Sequence, residues 1–145
     1  MRICLVASIG GHLTELIRLK DGLLGYDTFV ITNSLNRAIP YRQYPLPVPP
    51  FTLWRVLMTC FHSLIILLRE KPDVIVSSGA EIAVPAFLLS RFLGIKTIFI
   101  ETVTRFDNPT ISGRLCYPFS DVFLVQHREL LKAYGPRAQY RGRVL

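Results

Sequence analysis

The chain has 145 residues, the length of one domain and too short for two. Half of the residues are hydrophobic, 19% are charged and the mean hydropathy is +0.36, which excludes a disordered or low-complexity protein. The formal net charge of +7 favours an anionic partner, but thirteen of the seventeen basic residues are arginines scattered along the chain. A basic nucleic-acid-binding arm is therefore not expected.

The first half of the chain predicts two strands and a helix. Residues 3–8 and 28–32 are apolar runs typical of buried parallel strands. Between them, residues 12–24 carry apolar side chains near helical spacing, and Gly25 provides the stop. Residues 33–50 contain five prolines, so they predict an irregular connection without a regular element.

The second half continues the alternation of helices and strands. Strands are predicted at 73–78, 96–100 and 122–125, and helices at about 51–69, 81–93, 112–117 and 128–134. Residues 137–145 predict either the last strand or an arm that docks on a partner. Strands alternating with helices predict an α/β fold, a Rossmann-like doubly wound parallel sheet that forms one domain over 1–145.

The cysteines do not indicate a metal site. Cys4, Cys60 and Cys116 are far apart, form no C-x-x-C pair and make no ligand spacing with the histidines. Each lies in an apolar run, which predicts buried free thiols in a reducing compartment. The chain enters its first strand directly after Arg2, so neither a secretory signal nor an N-terminal membrane anchor is expected.

The first turn carries the strongest candidate for ligand binding. In open parallel sheets, ligands bind where the carboxyl ends of the strands meet. Gly10 and Gly11 follow the first strand and open a helix, so their backbone can approach a phosphate closely. His12 can donate to that phosphate or act as a base, although it can equally serve only to stabilise the turn. The dinucleotide and P-loop patterns are not found in the sequence, and no cofactor is predicted.

Two glutamates lie near the ends of later strands. Glu101 ends an apolar run and Arg105 follows four residues later. Glu101 can orient a sugar hydroxyl or act as a base, or it can pair with Arg105 and hold the loop. Glu81 begins a predicted helix, where the helix dipole favours a carboxylate without any further function.

The stretch 51–68 predicts a membrane-associating helix. At about 27 Å it would be marginal for a span, and a span would place parts of one sheet on opposite sides of a bilayer. Its polar residues form one narrow stripe, which leaves more apolar surface than a sheet can cover. We predict that this helix lies in the plane of an anionic membrane surface or docks on a partner; a fully buried helix is the alternative. The residues predicted to meet the membrane are Phe51, Trp54, Arg55, Leu57, Met58 and Phe61.

Several motifs together resemble a known family. Ser8-x-Gly10-Gly11-His12-x-x-Glu15, Pro72-Asp73-Val74-Ile75-Val76-Ser77-Ser78-Gly79-Ala80 and Ile100-Glu101-x-x-x-Arg105 follow one another in this order. They look like the polysaccharide-biosynthesis proteins PssD and CpsF, bacterial relatives of asparagine-linked glycosylation protein fourteen. Residues 112–121 and 140–143 resemble the same family, so the match covers essentially the whole chain.

The resemblance implies the acceptor-side, N-terminal half of a split GT-B glycosyltransferase that is inactive without its partner. A second subunit would bind the UDP-sugar, and the acceptor would be a polyprenyl-diphosphate-linked sugar at the cytoplasmic face of the cell membrane. The glycine-rich turn is also similar to the acceptor loop of MurG, the peptidoglycan glycosyltransferase. Diphosphate contacts are then expected at Gly10, Gly11, His12, Gly79 and Arg105, and catalytic roles at His12 and Glu101. The alternative is a non-catalytic scaffold that recruits its catalytic partner to the membrane.

Overall fold

The computed structural model describes residues 1–35, 39–47 and 53–144. Its strands are β1 (Arg2–Val6), β2 (Asp27–Thr32), β3 (Arg42–Pro45), β4 (Val74–Ser77), β5 (Lys96–Ile100), β6 (Val122–Val125) and β7 (Ala138–Tyr140). They form one sheet in the order β3-β2-β1-β4-β5-β6-β7, and every neighbouring pair is parallel. The predicted doubly wound α/β fold is confirmed.

Helices cover both faces of this sheet, but unequally. They are α1 (Gly11–Ile17), α2 (Leu53–Glu70), α3 (Ala83–Leu93), α4 (Ile111–Cys116) and α5 (Leu130–Tyr134), with 3₁₀ segments at Lys20–Leu23 and Tyr117–Phe119. α2 to α5 pack on one face, over a core that includes Phe29, Phe87 and Phe99. α1 packs on the other face, where Leu13 and Leu16 meet Leu5 and Val30 of the sheet.

The order of the strands places the first and third predicted loops side by side. β1 lies between β2 and β4, and Val6 pairs in register with Ser77 at the carboxyl end of both strands. The direction of winding reverses between β1 and β4, which is where open α/β sheets form their ligand crevice. The turn after β1 and the turn after β4 therefore begin at neighbouring positions.

One predicted loop and two predicted helix boundaries were wrong, and the structure decides one alternative that the sequence left open. The proline-rich segment 33–50 contains β3, because an edge strand tolerates Pro45 at its end and Tyr44 packs edge-to-face on Phe29 at 5.6 Å. The first helix stops at Ile17 and continues only as a 3₁₀ segment, and α3 begins at Ala83 rather than at residue 81. The tail forms the last strand, β7.

α2 presents an apolar face to solvent. Its inward side is short and partly polar, with Thr59, Ser63, Leu67 and Glu70 buried. Trp54, Leu57 and Phe61 are 62%, 55% and 58% exposed, which contradicts the alternative of a fully buried helix. Further exposed apolar side chains on α2 to α4 are Leu53, Val56, Ile65, Leu68, Leu88, Phe92, Ile111 and Leu115. Among the described residues, no helix combines the length and the apolar character that a membrane crossing needs.

One of the residues predicted for this apolar face turns away from it. Arg55 was expected to contact the membrane, but its side chain is only 17% exposed and turns towards a cavity described below. The reason is that Arg55 belongs to the polar stripe of α2, which faces the protein. Met58 is half-buried, and Phe51 lies outside the described residues.

Candidate functional site

The loops after β1 and β4 are joined by a reciprocal pair of hydrogen bonds. His12 Nδ1 lies 2.9 Å from the Ser78 carbonyl oxygen, and Ser78 Oγ donates to the His12 carbonyl oxygen at 2.7 Å. Ser78 is fully buried and His12 is partly buried, so both hydrogen bonds are partly protected from water. The two turns thus form one rigid edge at the switch point of the sheet.

The hydrogen bond to Ser78 also fixes the chemistry of the His12 ring. A carbonyl oxygen can only accept, so Nδ1 carries the hydrogen that is donated. In the neutral imidazole, Nε2 is then left as the acceptor. His12 lines a cavity between α2, α3 and α4, and a ring held in this way is equipped to take a proton from a bound hydroxyl.

Gly79 makes room for this histidine. It is buried with φ +118°, and a Cβ at this position would lie 3.1 Å from His12 Cε1 and 3.3 Å from Ser112 Oγ. Gly79 does not line the cavity, which argues against the predicted direct contact with a diphosphate. Its position gives it a steric role instead, because only a residue without a side chain allows His12 to sit there.

The loop after β5 is tied to the same edge by Glu15 and His127. Glu15 Oε1 accepts from Thr102 Oγ1 and from the Val103 amide, both at 3.0 Å, and His127 Nε2 lies 2.8 Å from the Val103 carbonyl oxygen. This loop carries Arg105, which is exposed and lines the cavity with His12. The expected convergence of the loops after β1, β4 and β5 is therefore present. Sequence analysis found Glu15 only as part of a motif, since its partners lie 87 and 88 residues away.

Glu101 lies inside the protein rather than in the cavity. Its side chain is fully buried and accepts from the Thr102 amide, from the Thr110 amide and hydroxyl, and from the Tyr134 hydroxyl. Among the ion pairs between described side chains, none joins Glu101 to Arg105. The three roles predicted for Glu101, orienting a sugar hydroxyl, acting as a base and pairing with Arg105, lack support because its oxygens already accept from Thr110 and from Tyr134 of α5.

The packing around Glu101 leaves no spare volume. A Cβ at Gly113 would lie 2.5 Å from Glu101 Oε2 and 2.8 Å from Thr110 Oγ1, so this position in α4 requires glycine. Thr110 caps α4 by accepting from the Gly113 amide. Burial, followed by the hydrogen bond to Glu101, raises the pKa of Tyr134 far above its usual range. The phenol therefore stays protonated and keeps donating to the carboxylate.

A cavity of about 680 Å³ lies between α2, α3 and α4. Its wall is apolar over most of its length, with Val56, Ile82, Val84, Pro85, Leu88, Ile111 and Leu115. The polar side chains in it include His12, Arg55, Glu81, Arg105 and Ser112. The cavity therefore combines a mainly apolar wall with basic and hydrogen-bonding groups.

Two charged residues in the wall of this cavity form an ion pair. Arg55 of α2 donates through its guanidinium to Glu81 of the turn before α3, and both side chains line the space. Glu81 was expected to need only the helix dipole, but α3 begins two residues later and the carboxylate faces Arg55 instead. The partner of Glu81 has no signal in the sequence, whereas the polar stripe of α2 could have indicated that Arg55 faces the protein.

The glycines of the first turn are accessible, but they do not line the cavity itself. Gly10 and Gly11 are exposed, and Gly10 adopts φ +117° just before α1. The Gly10 carbonyl oxygen accepts from the Thr14 amide and hydroxyl at 3.0 Å and 2.8 Å. The positive φ explains why glycine is needed at this turn.

The cysteines are free, as predicted, and only two of them are buried. Cys4 and Cys116 are inaccessible, and burial raises the pKa of the Cys116 thiol to about 12. Cys60 is partly exposed and lines the cavity, and burial raises the pKa of its thiol as well. Within residues 1–35, 39–47 and 53–144, no three His, Cys, Asp or Glu side chains are grouped so that they could hold a metal ion.

Comparison with known sequences identifies the family. Residues 48–144 match the family described as oligosaccharide biosynthesis protein Alg14 like. The chain belongs to this family. Over 181 residues this Alg14-like chain is 28% identical to the human UDP-N-acetylglucosamine transferase subunit ALG14, covering all of the chain and 83% of that relative. It is 29% identical to the Candida albicans protein of the same name, with 97% and 77% covered.

Solved structures share the fold of the Alg14-like chain. MurG from Acinetobacter baumannii superposes with a TM-score of 0.81 at 14% identity, covering 99% of the Alg14-like chain and 45% of MurG. UDP-GlcNAc 2-epimerase from Neisseria meningitidis, bound to UDP-GlcNAc, gives a TM-score of 0.75 at 16% identity, covering 99% and 47%. The chain thus spans slightly less than half the length of these structures. At such identities the similarity establishes the GT-B-like, Rossmann-type architecture.

Proposed function

We propose that this protein is the acceptor-binding, membrane-associated subunit of a two-protein glycosyltransferase. The enzyme would move a sugar from a UDP-sugar to a polyprenyl-diphosphate-linked acceptor in oligosaccharide or polysaccharide biosynthesis. The observation that carries this proposal is the cavity between α2, α3 and α4, with its long apolar wall and with His12 and Arg105 among its polar groups. A polyprenyl diphosphate has the same two parts, an apolar chain and an anionic head.

The diphosphate is assigned to the polar groups of the cavity. A guanidinium binds phosphate oxygens through paired, charge-assisted hydrogen bonds, and Arg105 is an exposed arginine in this position. Gly10 and Gly11 directly precede His12, so a head group bound at His12 is within reach of their exposed backbone. Gly79 supports the site indirectly, because it gives the His12 ring its place.

His12 is assigned the role of general base. The attacking hydroxyl of the acceptor forms a bond to the anomeric carbon of the donor while the bond from that carbon to UDP breaks. The proton of the hydroxyl passes to His12 Nε2, which the hydrogen bond to Ser78 leaves as an acceptor. Glu101 has no step in this scheme, since it is buried and its oxygens are occupied.

The exposed apolar face supports association with the cytoplasmic face of the cell membrane. Val56, Leu88 and Leu115 line the cavity and are also exposed, so the cavity opens onto the apolar surface of α2, α3 and α4. A lipid chain can then pass from a bilayer into the cavity without crossing water. Exposed basic residues on the same three helices, which suit anionic headgroups, are Arg69, Arg91 and Arg114.

The donor is assigned to a partner subunit. The curated relatives, most of whose length the chain covers, are named subunits, which supports a second protein in the enzyme. The curated relatives are named subunits of a UDP-N-acetylglucosamine transferase, which favours that donor.

Reconstitution tests the proposal. The purified chain, its partner and both together are incubated with labelled UDP-N-acetylglucosamine and a polyprenyl-diphosphate-linked sugar in liposomes. We expect transfer only with both proteins, and we expect His12→Ala to reduce it by about 10²-fold or more. His62→Ala is the matched control, because His62 lies on α2 outside the cavity lining and its Nδ1 contacts the Met58 carbonyl oxygen of the same helix. Transfer by the isolated chain would contradict the split enzyme, and full activity of His12→Ala would favour the non-catalytic scaffold.

A further inference from the structure

Resting on the proposed function, we infer that Glu81 competes with the acceptor diphosphate for Arg55, so that these two residues form an exchangeable ion pair within the acceptor site. Arg55 is then a diphosphate-binding residue rather than a membrane contact. Because Glu81 already pairs with Arg55, an incoming anion must bind Arg55 strongly enough to displace Glu81.

The first argument is the position of the pair. Arg55 projects from α2 and Glu81 from the turn before α3, and both side chains line the cavity. The contact is a direct one between the guanidinium and Glu81 Oε1. A ligand that enters the cavity therefore meets both charges.

The second argument is the unequal burial of the two charges. The Arg55 side chain is 17% exposed, whereas Glu81 is 51% exposed. A largely buried guanidinium is costly without an anionic partner, but a half-exposed carboxylate can turn into water at little cost. Displacement of the pair by an incoming anion therefore moves Glu81 and leaves Arg55 in place.

The third argument is the charge balance among the described residues of the cavity. Glu81 supplies the one carboxylate there, against the guanidinium groups of Arg55 and Arg105. A diphosphate carries more negative charge than a carboxylate and offers more oxygens to a guanidinium fork. It can therefore displace Glu81 from Arg55 while it is also bound by Arg105.

The backbone holds Glu81 in this place at some cost. Gly79 and Ala80, the two residues before it, adopt φ +118° and +76°. A left-handed conformation costs a residue with a Cβ about 1–2 kcal/mol, so Ala80 is strained. Because of this strained turn, α3 begins only at Ala83, and Glu81 lies before the helix with its side chain in contact with Arg55.

Binding of farnesyl diphosphate to the full chain tests the inference by titration calorimetry. We expect Glu81→Gln to tighten binding by about three- to fivefold, the range for removing one partly exposed competing ion pair. Arg55→Gln is expected to weaken binding by about tenfold or more, because a charge-assisted contact is lost. In the double variant, Glu81→Gln should have no further effect, since no arginine remains to be released.

Two control variants match the changes of charge. Glu129→Gln alters an exposed glutamate, and Arg18→Gln alters an exposed arginine directly after α1; neither residue lines the cavity. Thermal melting of every variant checks that it is folded. Unchanged or weaker binding by Glu81→Gln overturns the inference, and so does tightening that persists in the Arg55→Gln background or that Glu129→Gln reproduces. A wild-type chain that does not bind farnesyl diphosphate refutes the proposed acceptor site as well, which distinguishes the two failures.

Discussion

Replacing Gly79 by alanine tests whether the position of the His12 ring governs turnover. The new Cβ would lie 3.1 Å from His12 Cε1 and 3.3 Å from Nδ1. Ordinary contacts between such atoms begin at about 3.5 Å, so the ring must move by roughly 0.3–0.5 Å. That movement acts directly on the 2.9 Å hydrogen bond from Nδ1 to Ser78, which fixes the tautomer.

The magnitude has two separable parts. The positive φ of +118° disfavours any Cβ and lowers the free energy of unfolding by about 1–3 kcal/mol. Displacing a reacting group costs up to about 10²-fold in rate when the shift approaches 1 Å. For the smaller shift expected here, we predict a decrease in turnover of about 10-fold, with the protein still folded.

Gly25→Ala is the matched control for strain. Gly25 also has a positive φ, +85°, but no atom lies within 4 Å of the position of a new Cβ. Both variants should melt at lower temperature than the wild type, and only Gly79→Ala should lose turnover in the reconstituted transfer assay. In a His12→Ala background, Gly79→Ala should have no further effect on the rate. Equal rates for the two alanine variants would refute the reasoning.

Three further predictions concern the membrane face, the cavity and the buried carboxylate. Trp54→Glu combined with Phe61→Glu should abolish co-sedimentation with anionic liposomes, because both side chains are exposed on α2. The circular dichroism spectrum should be unchanged, and undiminished binding would contradict the interfacial helix. Cys60 should be the accessible thiol, and farnesyl diphosphate should slow its labelling by maleimide; labelling that is indifferent to this ligand would argue against its binding in the cavity. Tyr134→Phe should lower the free energy of unfolding by about 1–3 kcal/mol, because Glu101 loses a donor inside the protein. The pKa of Tyr134 is raised in the folded state, so the contribution of Tyr134 to stability is full below about pH 10 and falls above it. In chemical denaturation, the wild type should therefore lose more stability than the Phe variant between about pH 9 and 11.

Local sequence signals were sufficient for most elements of the fold. The apolar runs of β1, β2, β4, β5 and β6 are buried strands, and such runs identify themselves without knowledge of their neighbours. β3 could not be recognised in this way, because it is a short edge strand whose four side chains are all exposed or partly exposed and which ends at Pro45. β3 forms because it pairs with the free edge of β2.

The candidate site was predictable only in part, for a related reason. The placement of His12 and Arg105 follows from the rule that ligands bind at the carboxyl ends of parallel strands. The surroundings of Glu101 depend on Thr110 and Tyr134, which are 9 and 33 residues distant, and no local pattern announces them. The inward turn of Arg55 likewise depends on how α2 is rotated against α3.

The central position of β1 has a consequence for the order in which the protein is made. β1 pairs with β4, and Val6 and Ser77, which meet at the end of this pairing, are 71 residues apart. At a synthesis rate of about 5–20 residues per second, the ribosome needs roughly 4–14 s to supply the strand that completes the middle of the sheet. All of α2 is made within that interval, so its apolar side chains emerge from the ribosome before the sheet against which the helix rests is complete. Early contact with a lipid surface or a chaperone would shield these side chains, whereas a crowded aqueous setting would favour aggregation of the nascent chain.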